Sequence, residues 1–166
     1  MSGNKQLTVF INDKPLRACA FTGHRELGTD FSKRRMKKKI ELLIQRGVEI
    51  FYDGMAQGFD LIAAEALLSL KKKYPHVKLV ACIPFYGQES RFSEKDKIRY
   101  AKVLKKADKQ ILLSERYYNG CFLARDRYMA DRADVLLTYC NKDTGGTAYT
   151  LSYFAKRNTD GEIVNV

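Results

Sequence analysis

Short apolar runs alternate along this chain with longer segments in which apolar residues return at helical spacing. The runs at Arg17 to Phe21, Val48 to Tyr52, Val77 to Ile83, Gln110 to Leu113 and Asp134 to Tyr139 read as strands bounded by turn residues. From about Asp30 to Arg46 the pattern sets Met36, Ile40, Leu43 and Ile44 on one side and lysines on the other, an amphipathic helix that covers a sheet and stops at Gly47. The next segment, about Phe59 to Lys73, is apolar almost all round and predicts a well-buried helix. Helices over about Ser93 to Ala107, Asn119 to Arg132 and Thr147 to Arg157 complete the series. Leu7 to Ile11 is compatible with a short extra strand in an N-terminal extension of residues 1–15, and Ile163 to Val166 with an edge strand. Parallel neighbours need a crossover connection, so this alternation implies one α/β domain over residues 16–166: a mainly parallel sheet with helices on both faces.

In such sheets ligands bind outside the carboxyl ends of the strands, where connections diverge. That selects the loops Thr22 to Arg25, Asp53 to Asp60, Pro84 to Gln88, Ser114 to Asn119 and Thr144 to Thr147. Two of them are glycine turns between a strand and a helix. One is D-G-M-A-Q-G-F-D-L-I-A-A-E, Asp53 to Glu65, with Gly54 and Gly58; the other is T-G-G-T, Thr144 to Thr147. The first amides of a helix have no partner within it, so a phosphate docked at such a turn satisfies them. The plainer reading of either is a turn and nothing more, since neither is a Walker loop or a G-x-G-x-x-G.

Composition narrows the classes. A chain of 166 residues, 45% of them hydrophobic, suits one core. No apolar stretch reaches the roughly 20 residues that cross a bilayer, and Met1 to Lys14 lacks the hydrophobic block of a signal peptide, so a cytoplasmic protein is expected. Cys19, Cys82, Cys121 and Cys140 are dispersed and only His24 and His76 are present, which argues for reduced thiols and against a metal centre. The net charge of +11 favours acidic partners, yet the runs Lys33 to Lys39 and Lys71 to Lys73 lie on helices, where they are ordinarily solvated faces.

Four segments, C-A-F-T-G-H-R (Cys19 to Arg25), the Asp53 to Glu65 stretch, R-D-R-Y-M-A-D-R-A-D (Arg125 to Asp134) and T-G-G-T-A-Y-T (Thr144 to Thr150), resemble in order the bacterial YpsA-like family. That family has no defined activity and falls within the SLOG superfamily with the DprA DNA-processing proteins and the LOG-type phosphoribohydrolases. The resemblance implies a Rossmann-like three-layer fold that binds a phosphate-bearing nucleotide or derivative, ADP-ribose-like ligands among them, as a sensor or regulatory module. Other readings are a nucleotide N-glycosidase and DprA-like binding of single-stranded DNA; a homodimer is a further partner the superfamily suggests. The resemblance implies binding by Gly54, Ala56, Gly58, Asp60, Gly145, Gly146 and Thr147, and Arg125 falls where LOG proteins keep a catalytic arginine; Thr22, Gly23, His24, Arg25 and Met55 are added as binding candidates by their place in the rim loops.

The departures bear on catalysis. The LOG glutamate that follows G-T is Thr150 here, and a hydroxyl cannot do the work of a carboxylate. Glu65 interrupts an apolar helix, so it is expected either to pair with Arg125 or to substitute for the missing acid. Each remaining candidate has a structural counterpart: Arg25 in a salt bridge, His24 and Asp60 capping helices, Asp131 and Asp134 pairing at a helix end, Tyr117, Tyr118 and Tyr149 packing rather than stacking on a base. Gln88 and Arg91 are placed to reach the far half of a ligand.

Overall fold

The computed structural model describes residues 16–166, so the expected Leu7 to Ile11 strand lies outside the described residues. The elements run β1 Ala18–Gly23, α1 Lys33–Gln45, β2 Ile50–Asp53, α2 Phe59–Lys71, β3 Lys78–Ile83, a 3₁₀ turn Gln88–Arg91, α3 Glu94–Lys106, β4 Lys109–Leu112, α4 Cys121–Arg132, β5 Val135–Tyr139, α5 Gly146–Arg157 and β6 Glu162–Asn165. Helix starts follow local chemistry. The Ser32 hydroxyl accepts from the Arg35 amide at 3.1 Å, so α1 begins after Ser32 rather than at Asp30. Ser93 starts α3 in the same way, accepting from Asp96 at 3.2 Å.

The six strands are all parallel, in the order β4-β3-β2-β1-β5-β6. Strand alternation divides the core between the two faces. Cys19, Phe21, Phe51, Leu79, Val135 and Leu137 face α1, α2 and α3, meeting Met36, Ile40, Leu67 and Val103. Ala20, Val80, Cys82 and Leu136 face α4 and α5, meeting Met129, Ala130 and Phe154. This is the Rossmann-like three-layer arrangement. Helix α2 differs from its expected all-round burial: Phe59, Leu61, Ala63, Ala64 and Leu67 are buried, while Glu65 and Ser69 reach water.

The order of strands locates the site. From β1 the chain steps to β2 on one side, and the later β5 lies on the other, so the loops that follow β1 and β5 diverge between them. A crevice opens at such a switch point.

Candidate functional site

A cavity of about 350 Å³ lies at the carboxyl end of β1. Its lining comes from four places: Thr22 to Arg25 at the end of β1, Ala56 and Asp60 after β2, Phe122, Leu123, Arg125 and Asp126 on α4, and Gly146 and Thr147 at the start of α5. The two glycine turns therefore converge on one cavity. Helix α5 starts from Gly145 at φ +100°, with no side-chain cap and no acidic residue in its first turn.

Around β1 the chain is pinned by its neighbours. His24 donates its amide to the Tyr139 carbonyl at 3.3 Å and accepts from the Phe59 amide at 3.1 Å. Its imidazole caps no helix; Nε2 accepts from the Asn141 amide at 3.1 Å. Burial, and then the charge of Lys142, lower its affinity for a proton, which keeps Nε2 an acceptor at neutral pH. Arg25 is exposed, its guanidinium 5.3 Å from the centre of the Phe122 ring.

The turn after β2 serves the protein's own chain. Asp53 accepts from the Met55 amide at 2.7 Å, which holds Met55 at φ +59° with its side chain buried in the core. A Cβ on Gly54 would come 2.9 Å from the Arg125 guanidinium, and one on Gly58 would come 2.1 Å from the Arg25 carbonyl oxygen. Gly54, Met55 and Gly58 thus shape the cavity from behind, and the close approach expected of a ligand there is made by Arg125 and the Arg25 backbone instead. Gly23 is likewise packed against Phe59.

Arg125 is buried at the centre of an acidic group. Its Nε donates to Asp126 at 2.7 Å and a terminal nitrogen donates to the Gly54 carbonyl at 2.6 Å, where buried Gln88 also donates, at 3.2 Å. Burial pushes the Asp60 carboxyl up to about 7 against the pull of Arg125. Burial, and next the charge of Asp60, hold Asp53 well above the usual carboxylate range, and Asp53 Oδ2 has no hydrogen-bond partner among the described residues. Asp60 sits in the first turn of α2, as expected, but the capping position is Gly58, which has no side chain to cap with, and Asp60 accepts instead from the Ala56 amide at 3.2 Å.

Both expectations for Glu65 fail. Glu65 is neither the partner of Arg125 nor a stand-in for the LOG glutamate: it is exposed on the outer face of α2 and pairs with Arg99 of α3. The near-continuous apolarity of the Phe59 to Leu70 segment hid that α2 has a narrow wet face toward α3. Thr150 turns back on its own helix, its hydroxyl donating to the Gly146 carbonyl at 2.8 Å. Tyr149 lies away from the cavity, accepting from Arg127 at 3.2 Å, while Tyr117 and Tyr118 are exposed. Asp134 accepts from the Arg17 and Ala18 amides, and Asp131 from Tyr153. Sequence reasoning missed Asp53, Asp126 and Phe122 as site residues; the one signal for the acids was their position at a strand end and beside an arginine.

The model of the YpsA family, described as the YspA SLOG family, matches residues 14–163. The chain belongs to this family. Among relatives of this YpsA family, a UPF0398 protein of Halalkalibacterium halodurans is 32% identical over 137 residues, 81% of this chain and 72% of its own length. The UPF0398 protein YpsA of Bacillus subtilis is 31% identical over 130 residues, 76% of this chain and 72% of its own length. Of solved structures, DNA processing protein A (DprA) of Streptococcus pneumoniae superposes with a TM-score of 0.62 at 17% identity, over 90% of this chain and 50% of that one. The DprA of Helicobacter pylori gives 0.60 at 23% identity, over 92% and 66%. The YpsA-family chain thus spans half to two thirds of these DprA chains, and at such identities the likeness is one of fold. No helix among the described residues is long and apolar enough to cross a membrane.

Proposed function

We propose that the cavity at the end of β1 binds the phosphate of a nucleotide or nucleotide derivative, ADP-ribose-like ligands included, and that the protein acts as a sensor or regulatory module. The observation that carries this is the uncapped start of α5, opening at Gly146 and Thr147 onto a cavity at the switch point. An anion there meets helix amides and the positive end of the helix dipole. Arg25, exposed at the same cavity, supplies a forked donor for phosphate oxygens.

The test is calorimetric titration with nucleoside phosphates and ADP-ribose, for the wild type and Gly146→Ala. A Cβ at Gly146 meets nothing nearer than Asp126 at 3.9 Å, so the variant keeps its fold while crowding the cradle. At least a tenfold loss of affinity is expected; no binding below millimolar by any ligand sinks the reading. A short single-stranded oligonucleotide belongs in the same panel, because the Helicobacter pylori structure concerns single-stranded DNA binding.

A second reading, cleavage of an N-glycosidic bond, is favoured by Asp60 alone. An acid with a pKa of about 7 in a cavity beside Arg125 is matched to proton transfer at neutral pH, with Arg125 polarising the substrate. Release of free base from nucleoside monophosphates, abolished in Asp60→Asn while binding persists, would establish it.

A further inference from the structure

The cavity has an aromatic wall that a phosphate alone leaves unused. Phe122, in the first turn of α4, lines the cavity and is the inner member of a cluster built by three elements. Phe85, from the loop after β3, lies 5.9 Å from Phe122 between ring centres, and Tyr117, from the loop after β4, lies 5.4 Å from Phe85 and 6.3 Å from Phe122. The three rings meet at 84°, 67° and 59°, so none is stacked flat on another. Edge-to-face packing fixes the rings against one another, and with the Arg25 and Arg125 guanidiniums over Phe122 the ring left open to a further planar group is Tyr117. Tyr117 is 61% exposed, and neighbouring Tyr86 is 78% exposed.

Position and charge turn this cluster into half of a site. Arg25 reaches both halves: it lines the cavity, and its guanidinium lies over the Phe122 ring. An aromatic face beside an arginine and an anion cradle is the combination that binds a base joined to a phosphate, since every nucleobase has a π-face to stack. The rings come from the loops after β3, β4 and the start of α4, on the same rim as the glycine turn of α5. The cavity's volume suits a sugar phosphate; of the three rings Phe122 lines it, and Phe85 and Tyr117 continue the cluster from Phe122 to the exposed Tyr117 ring.

We propose that the Phe85, Tyr117 and Phe122 cluster is the base-binding half of the site, so that the ligand must carry a nucleobase and a bare sugar phosphate binds poorly. This rests on the phosphate reading above. The base stacks against the exposed Tyr117 side of the cluster, and Arg25 bridges between base and phosphate. Stacking of this kind tolerates any base, which makes the site selective for nucleotides as a class rather than for one of them.

The experiment compares AMP with ribose 5-phosphate in wild type, Tyr117→Ala and Tyr117→Phe, by titration calorimetry. The protein has no tryptophan, so quenching of tyrosine fluorescence by the base is a second, direct readout. The wild type is expected to bind AMP at least tenfold more tightly than ribose 5-phosphate. Tyr117→Ala should bring the two within about threefold by weakening AMP alone, and Tyr117→Phe, which keeps the ring, should retain the preference. Tyr117 is mostly in water, so its truncation leaves the fold intact, and an unchanged unfolding temperature verifies this. Equal affinities in the wild type, or equal loss of both ligands in Tyr117→Ala, overturn the base-binding half while leaving the phosphate cradle standing. Failure of both ligands to bind the wild type overturns the base-binding half as proposed, and the cradle falls with it when the nucleoside phosphates and ADP-ribose of the wider panel also fail.

Discussion

Replacing Asp60 by Asn should flatten the dependence of stability on pH. The ordinary value for this carboxyl is 3.8, and burial in the fold raises it to about 7. Between those values the folded chain holds a proton that the unfolded chain has released, so stability falls as pH rises and the loss is complete above the folded value. Each pH unit in that window corresponds to about 1.4 kcal/mol, so from about pH 5 to about pH 7 Asp60 removes about 2 to 3 kcal/mol. Asn keeps an oxygen to accept from the Ala56 amide and cannot ionise. Asp53 is held up partly by the charge of Asp60, so in the variant it is raised less and its own loss of stability with rising pH shrinks, which widens the difference in the same direction. Urea unfolding at the two pH values would show the wild type losing about 2 to 3 kcal/mol more than the variant, with the variant the more stable at pH 7. Parallel slopes, or a less stable variant at pH 7, would mean that attraction to Arg125 outweighs desolvation, and the reasoning would fail.

Gly58→Ala tests the claim that this glycine serves the chain. At φ +78° and ψ −121°, with a Cβ 2.1 Å from a backbone oxygen, both strain and overlap must be relieved by moving the turn. A loss of at least about 3 kcal/mol is expected, lowering the unfolding temperature in calorimetry by roughly 6 to 12 °C for a chain of this size; a shift of under about 2 °C refutes the packing argument. Glu65→Gln removes one partner of a half-exposed ion pair, so stability should change by less than about 1 kcal/mol and AMP affinity by less than about twofold. A large loss of affinity would return Glu65 to the site.

The layered fold was legible because strand period and helix period alternate so cleanly, and because each parallel connection demands a crossover. Boundaries moved by one to three residues where a cap decided them, as Ser32 did for α1. The rim was legible for the same reason: loops after parallel strands share one end, which brought Thr22 to Arg25, Ala56, Asp60, Gly146 and Thr147 to one cavity. What the sequence hid was which side of each turn faces the cavity. Gly54 and Gly58 read as openings for a ligand, but the space beside them holds Arg125 and the Arg25 backbone. The acidic group around Arg125 was equally hidden, since Asp53 and Asp60 reach it from the turn after β2 while Asp126 joins it from α4 beside Arg125.

The place of β1 within the sheet has a kinetic consequence. Its amides at Arg17 and Ala18 are tied to Asp134, the first of these bonds spanning 117 residues, and its second neighbour β5 follows directly. During synthesis one flank of the innermost strand stays bare until most of the polypeptide has emerged. Pairings so remote in sequence slow the search for the native topology, so refolding should belong to the slow end of α/β domains, and the half-made sheet is the species that a chaperone would have to shield.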